Sequence, residues 1–269
     1  MPDQDLSLCR SLLFLPASNP RAIEKARELA ADLVILDLED AVAEQDKAAA
    51  RDAAVEASRA GFGGRPVAIR INAVGSPHHG PDMLAARRSG ARYVVLPKVE
   101  TPRDIHDTRV VCERPIVTMI ETPRGVLDAP ALAELCSGLI AGTNDLAASL
   151  RIPPGAGRAG LAGSLQRIVL AGRAAGVAVF DGVYNRLDDR AGLEAEAQEG
   201  RAFGFDGKSV IHPGQIETVN RVFTPSPQEL EAADALIASA IGGAQRHEGR
   251  MIEDLHVEQA RLLIARARR

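Results

Sequence analysis

Acidic and basic side chains recur in this chain just after short runs of Val, Ile and Leu. Glu39 and Asp40 follow Leu33–Leu38, Arg70 and Asn72 close Val67–Asn72, Lys98 follows Tyr93–Pro97, and Glu121 follows Ile116–Ile120. Asp145 lies beyond Leu139–Gly142, Asp181 follows Val177–Phe180, and Lys208 sits within Gly204–Ile211. Taken singly, each is a solvated strand end or, for the acids, a carboxylate drawn to the positive end of a helix dipole. Gathered at one mouth, they would make a polar site carrying both signs of charge. Carboxylates with no histidine among them favour a hard cation. Mg²⁺ takes oxygen ligands, often only one or two carboxylates, with water and substrate completing its shell. Glu121 and Asp145, at the ends of consecutive apolar runs, are placed to hold it. The six histidines show no HxxxH or HExxH spacing, which argues against zinc, and His78-His79 reads as a solvated pair in a Gly/Pro loop.

Arg70 ends an apolar run, and a buried guanidinium needs a partner. Its fork suits a bidentate carboxylate, which a substrate would supply; an internal salt bridge to Glu39 or Asp40 would satisfy it equally. Two patterns mislead. Gly207-Lys208-Ser209 looks like the end of a P-loop, but Ala202 stands where that motif needs glycine, and the segment enters a strand rather than leaving one. Lys98 and Lys208 are candidate Schiff-base lysines of a metal-free aldolase. That chemistry needs a depressed lysine pKa, and surrounding carboxylates act in the opposite sense, so metal chemistry ranks first.

The frame that would bring these residues together is a repeated strand–helix unit. The apolar runs begin with Ser11–Pro16, and amphipathic Ala-rich stretches alternate with them: one opened by Asn19-Pro20, then Asp46–Ala60, Pro81–Ser89, Pro102–Val110, Ala129–Cys136, one opened by Thr143-Asn144-Asp145, Asp188–Phe203 and Pro213–Val222. Near-continuous apolar strands are those of a parallel sheet covered on both faces. Eight such units in 269 residues predict an α/β fold closed as a (β/α)₈, or TIM, barrel, whose active site forms at the C-terminal ends of the strands. The expected division is a catalytic barrel over 1–223 and a C-terminal helical extension over 224–269, with helices at Gln228–Ala240 and His256–Arg268 around a flexible hinge, Gly242–Gly249. The extension would act as a lid or as an arm swapped to a neighbouring subunit.

Composition removes several other functions. A net charge of −4 without a basic run, and 3% aromatics, argue against nucleic-acid binding. No apolar stretch is long enough for a bilayer, residues 1–9 are too polar and acidic for a secretory signal, and Cys9, Cys112 and Cys136 form no CxxC pair. A cytoplasmic protein with reduced thiols and no membrane partner is expected.

Taken in order, RSLLFLPASNPRAIEKA from Arg10, DLVILDLEDAV from Asp32, RIN from Arg70, LPKVE from Leu96, IETPRGV from Ile120, GTNDLA from Gly142 and GFDGKSVIHPGQI from Gly204 cover the barrel nearly end to end. The chain resembles the citrate lyase β-chain family, with malyl-CoA and citramalyl-CoA lyases, in the metal-dependent aldolase superfamily. The resemblance implies Mg²⁺ or Mn²⁺ on Glu121 and Asp145, substrate carboxylate on Arg70, and Glu39 and Asp40 near the metal and its waters. Lys98, at a strand end, is expected to join Arg70, Glu121, Glu39 and Asp40 in binding the substrate. It also implies a homotrimer or hexamer. Related lyases carry Met-(Ile/Val)-Asp-x-Pro near the C-terminus, whose aspartate is the acid–base group. Here the tail reads Met251-Ile252-Glu253-Asp254-Leu255-His256, so Glu253 or Asp254 takes that role, or the acids simply open a helix.

The expected reaction is metal-dependent cleavage or formation of a 3-hydroxyacyl-CoA, such as citryl-, malyl- or citramalyl-CoA, giving an acyl-CoA and a 2-oxo acid. The alternatives are an aldolase of a 2-oxo acid that does not use coenzyme A, and a non-catalytic barrel subunit or ligand sensor. Intact Glu39, Arg70, Glu121 and Asp145 argue against the last.

Overall fold

A computed structural model describes residues 6–247 and 249–267. Strand and helix alternate as β1 (Ser11–Pro16), α1 (Pro20–Ala26), β2 (Leu33–Asp37), α2 (Lys47–Ala60), β3 (Val67–Arg70), α3 (His79–Arg88), β4 (Tyr93–Leu96) and α4 (Pro102–Cys112). They continue as β5 (Ile116–Ile120), α5 (Pro123–Ala133), β6 (Gly138–Ala141), α6 (Thr143–Ser149), α7 (Ala162–Ala175), β7 (Ala178–Asp181), α8 (Arg190–Phe203), β8 (Gly207–Val210) and α9 (Ile216–Phe223). The strands β1 to β8 pair in sequence order, all parallel, and β8 returns to β1, closing a TIM barrel. Side chains from alternate strand positions fill its axis, among them Leu12, Leu33, Ile35, Ala68, Val95, Val117, Ile140 and Phe180. Beyond the barrel come α10 (Pro227–Ser239), an antiparallel pair β9 (Gln245–His247) and β10 (Arg250–Ile252), and α11 (Asp254–Ala267). The chain divides into two compact units between Asn220 and Arg221. No helix among the described residues is long and apolar enough to cross a membrane.

Several helix starts follow from one local device. Thr101 and Thr122 each cap a helix with a side-chain oxygen, accepting from the N–H of Asp104 and of Gly125, and each is followed by proline at the first helical position. That placement uses proline where no N–H is needed. It also starts α5 at Pro123, six residues before the expected Ala129.

Other elements depart from expectation for equally local reasons. The connection from β6 to β7 holds two helices, because Pro153, Pro154 and the left-handed Arg151, Gly155 and Gly157 end the first; α7 then runs as a separate amphipathic helix. The expected hinge Gly242–Gly249 contains β9, paired with β10. The last helix starts at Asp254, two residues early, and the Arg268 expected to end it lies outside the described residues. His79 opens α3 rather than lying in a loop; its Nδ1 is 2.9 Å from the Asn72 carbonyl oxygen, and His78 Nε2 is 2.6 Å from Glu44.

The largest correction concerns Asp181 and Lys208, expected at the mouth. Phe180 points to the barrel axis, so Asp181 must face the opposite way, because strand side chains alternate. Asp181 and Lys208 are register partners on β7 and β8, and both face the α8 side. Lys208 Nζ, fully buried, donates to Asp181 (2.9 Å) and Glu196 (2.8 Å), and Arg158 holds Asp181 bidentately at 3.0 and 2.9 Å. Burial alone would raise the Asp181 pKa, but the charges of Lys208 and Arg158 outweigh it and hold the group below its ordinary value. Gly200 makes room: a Cβ there would stand 2.5 Å from Asp181 Oδ2. Lys208 is therefore a strut between strand and helix, not a nucleophile. Lys208→Met should lower the unfolding free energy in urea by about 3–5 kcal/mol, the usual cost of stranding one partner of a buried pair. A loss below about 1 kcal/mol would show that the cluster carries little of the fold's stability.

Candidate active site

The remaining charged strand ends do converge. A cavity of about 440 Å³ opens at the C-terminal end of the barrel, lined by Asp37, Asp40, Arg70, Glu121 and Asp145 among others. Lys98 and Glu39 stand beside these: Lys98 Nζ donates to Glu39 Oε1 at 2.7 Å and lies 3.6 Å from Asp40 and 3.9 Å from Asp145. Apolar walls come from Phe14, Leu15, Met119, Ile140 and Val183.

Each carboxylate has its own means of placement. Glu121 falls between the last residue of β5 and the Thr122 cap of α5, so it leaves the strand at a fixed point. Its Oε1 accepts the backbone N–H of Lys98 at 2.7 Å, and it is only 2% exposed. Lys98 takes a left-handed backbone, φ 52°, a strained conformation for a residue with a Cβ. Gly142 leaves the necessary space, because a Cβ there would lie 2.4 Å from Glu121 Oε2. Asp145 sits in the first turn of α6 and is half-exposed.

Arg70 adopts the internal salt bridge, with a partner that the sequence did not single out. Its Nε and Nη2 donate to Asp37 at 2.7 and 2.5 Å, the bidentate geometry expected for a substrate. Nη1 lies 3.1 Å from Glu39 Oε2 and 3.7 Å from Asp40, and the guanidinium stacks over Phe14 at 5.4 Å. Burial opposes the charge on Arg70, but the hydrogen bonds and charge of Asp37, then Glu39 and Asp40, overcome it and hold the pKa above its ordinary value. Lys98 is treated the same way by Glu39, Asp40 and Glu121, so it stays an ammonium, the wrong state for a Schiff-base nucleophile.

Asn72 points away from the cavity, bonded to Leu38, Asp82 and Lys47. Two lining residues missing from the sequence expectations, Asn144 and Asn185, bond each other across the mouth at 2.7 and 3.3 Å. Glu253 and Asp254 belong to the second unit. There Asp254 opens α11 and accepts the N–H of Gly243 at 3.2 Å, while the N–H of Glu253 meets His256 Nδ1 at 2.9 Å.

The oxygen-rich donors fit a hard divalent ion. Glu121 is pushed up to about 7, first by burial and next by the charge of Glu39, with Asp145 adding to it; the Lys98 N–H and Arg70 act against this. Burial also raises Glu39, against the pull of Arg70 and Lys98, and its Oε2 is buried without a hydrogen bond. A divalent ion held by Glu121 and Asp145 would relieve this repulsion. Among the described residues no three or more His, Cys, Asp and Glu side chains form a ready metal cage.

The Glu121 shift has a consequence for stability. A carboxyl whose folded pKa lies above its unfolded value binds its proton more tightly when folded, so its contribution weakens as pH rises from about 4.5 to about 7. The cost of ionising it in the metal-free fold is about 3 kcal/mol. Metal-free Glu121→Gln should therefore be more stable than the parent chain at pH 7.5, with the difference closing near pH 4.5. Equal pH profiles in urea unfolding would contradict this account of Glu121.

Comparison with known proteins shows the family. Residues 10–213 match the HpcH/HpaI aldolase/citrate lyase family, and residues 160–269 match a C–C bond lyase family of the TIM-barrel fold. The (3S)-malyl-CoA thioesterase of Cereibacter sphaeroides is 40% identical, with 96% of this chain and 94% of that protein covered. The citrate lyase β subunit of Leuconostoc mesenteroides is 33% identical, covering 90% and 85%. The crystal structure of CitE from Mycobacterium tuberculosis in complex with magnesium, acetoacetate and coenzyme A superposes with a TM-score of 0.85 at 33% identity, over 98% of this chain and all of that one. The chain belongs to the HpcH/HpaI aldolase and citrate lyase family, a family of carbon–carbon bond lyases.

Proposed function

We propose that this protein acts on a 3-hydroxyacyl-CoA thioester bearing a carboxylate on its hydroxyl carbon, with malyl-CoA the leading candidate, and that it cleaves or forms the bond between that carbon and the thioester α-carbon. The observation that carries this is the single cavity on which Glu121, Asp145, Arg70 and Asp40 converge, with Glu39 and Lys98 at its edge. Glu121 and Asp145 would hold Mg²⁺ or Mn²⁺. The ion would supply Lewis acidity toward the substrate hydroxyl and carboxylate oxygens. Solved relatives with magnesium and oxaloacetate, pyruvate or acetoacetate support both the ion and the small-acid substrate.

The chain's own groups divide the remaining work. Arg70 presents Nη1 and its charge to the substrate carboxylate, while Asp37 fixes the other edge of its fork. Lys98 stays charged among Glu39, Asp40 and Asp145 and offsets negative charge that builds at the hydroxyl oxygen during cleavage. Breaking the bond turns the hydroxyl into a carbonyl and releases its proton to solvent, and it leaves an electron pair at the α-carbon of the thioester, which takes a proton from a carboxylic acid; Glu253 or Asp254 of the second unit, reprotonated from solvent after each turnover, is assigned that role. A subunit arrangement that brings the second unit over a neighbour's mouth belongs to the same reading, as does a division of labour between a catalytic barrel over 1–223 and an extension over 224–269.

Hydrolysis of the same thioester is the second reading. It is favoured by the 40% identity with malyl-CoA thioesterases over nearly the whole chain. The tail favours it too: hydrolysis forms no carbanion, so it has no need of the aspartate replaced here by Glu253.

One assay separates the readings. Incubation of the protein with (3S)-malyl-CoA and Mg²⁺ should release acetyl-CoA and glyoxylate if the carbon–carbon bond breaks, or malate and the free thiol of coenzyme A if the thioester is hydrolysed. Asp145→Asn, or chelation of the metal, should lower either rate on the order of 100-fold or more, since even groups that only support a metal ligand are worth about 10–100-fold. Full turnover in chelator would overturn the metal assignment. No turnover of malyl-, citramalyl- or citryl-CoA would overturn the substrate class.

A further inference from the structure

Lys47 is a lysine in an improbable place. It is the first residue of the 14-residue helix α2, where a cation opposes the helix dipole, and it is only 8% exposed. Helix stability does not account for it, and neither does a carboxylate. Its ammonium carries three protons, and its three hydrogen bonds go to neutral oxygens: the carbonyls of Leu38 and Glu39, both at 2.9 Å, and Oδ1 of Asn72 at 2.8 Å. A buried ammonium is costly unless every donor is used, and here two of the three go to a single turn of chain and the third to Asn72 beside it.

That turn carries Glu39. The Glu39 peptide is held from both sides: its N–H donates to Asp37 Oδ1 at 2.8 Å, and its carbonyl accepts from Lys47. Two further residues complete the frame. Ala41 N–H donates to Asp37 Oδ2 at 3.1 Å, and Leu38 N–H donates to the Arg70 carbonyl at 2.9 Å. Asn72, which aligns the Lys47 ammonium, is itself fixed by Asp82, and Asp82 by Arg51 at 2.8 Å. From this pinned backbone the Glu39 carboxylate reaches 2.7 Å from Lys98 Nζ and 3.1 Å from Arg70 Nη1.

We propose that Lys47 is a positioning residue of the active site: by drawing the Leu38 and Glu39 carbonyls inward, it turns the Glu39 side chain toward Arg70 and Lys98. The inference rests on the mouth being the active site, and its test separates the two. In Lys47→Met, hydrogen–deuterium exchange should show faster exchange of the Glu39, Ala41 and Val42 amides, with the other barrel strands unchanged. Lys47→Gln, which keeps a donor, should fall between and serves if the Met variant does not fold. Activity is then compared in a double-mutant cycle. Lys47→Met and Glu39→Gln should each cost about 100-fold in kcat/KM, and the double variant should be within about 3-fold of Glu39→Gln alone, because groups acting as one unit are not additive. Uniform loss of protection across the barrel, unchanged exchange in the turn, or multiplying losses in the double variant would each overturn the proposal. An inactive parent protein would count against the proposed function alone, and exchange would still decide the role of Lys47.

Discussion

Excess negative charge at the barrel mouth is the constraint around which the rest of the molecule is organised. Asp37, Glu39, Asp40, Glu121 and Asp145 share that region with two cationic side chains, Arg70 and Lys98. Two unit charges about 4 Å apart interact by about 4 kcal/mol at an effective dielectric of about 20, so five carboxylates cannot ionise together there without cost. Part of that cost appears in Glu121, raised to about 7. The other part is met by Arg70 and Lys98, each touching more than one acid and each held charged. Such an arrangement attracts a hard divalent cation, whatever reaction follows.

Mutually repelling groups stay together only if the backbone holds them. Here the holding is local and specific. Lys98 gives its N–H to Glu121 and its ammonium to Glu39, and it can do both only from a left-handed backbone that costs on the order of 1–3 kcal/mol. Asp37 joins the Arg70 fork to the two amides of the following turn. Gly142 leaves the side of Glu121 open where any Cβ would strike it. One of the three left-handed non-glycine residues among the described residues, Lys98, and the close approach at Gly142 both lie beside the carboxylates.

Which parts of this were legible in the sequence follows from the range of the signals. The eight strands announced themselves as apolar runs between turn residues, and their order fixed the barrel. Glu121, Asp145, Arg70 and Lys98 were found because they end those runs. Asp181 and Lys208 end or occupy runs just as visibly, yet they face outward; alternation from Phe180 would have assigned Asp181 correctly, since neighbours on one strand cannot both face the axis. Asp37 was hidden inside LVILDLED, where an acid between two leucines reads as part of the strand, and only the neighbouring strand reveals that it meets Arg70. Lys47 and Asp82 are silent for the same reason: their partners, backbone groups together with Asn72 and Arg51, are brought near by tertiary folding, and no residue spacing encodes them. Helix α7 lies beyond prolines and glycines in a stretch where the sequence marks only the helix opened by Thr143-Asn144-Asp145.

The substrate is easier to infer from this site than the reaction, and chemistry explains the difference. A cation on Glu121 and Asp145 with Arg70 beside it recognises a hydroxyl next to a carboxylate, a feature common to malyl, citramalyl and citryl thioesters. Breaking the carbon–carbon bond then needs an acid at the thioester α-carbon, whereas hydrolysis needs a base for water at the thioester carbonyl. In the proposed mechanism only the first of these demands falls on the tail carboxylate, and about 1 Å of misplacement there can cost on the order of 100-fold in rate. Under the proposed assignment, Glu253, one methylene longer than aspartate and followed by Asp254 and Leu255 rather than leading to a proline, would change that one group and leave the mouth residues as they are. On the proposed mechanism, a change confined to the tail would alter the fate of the thioester while the residues at the barrel mouth stay the same.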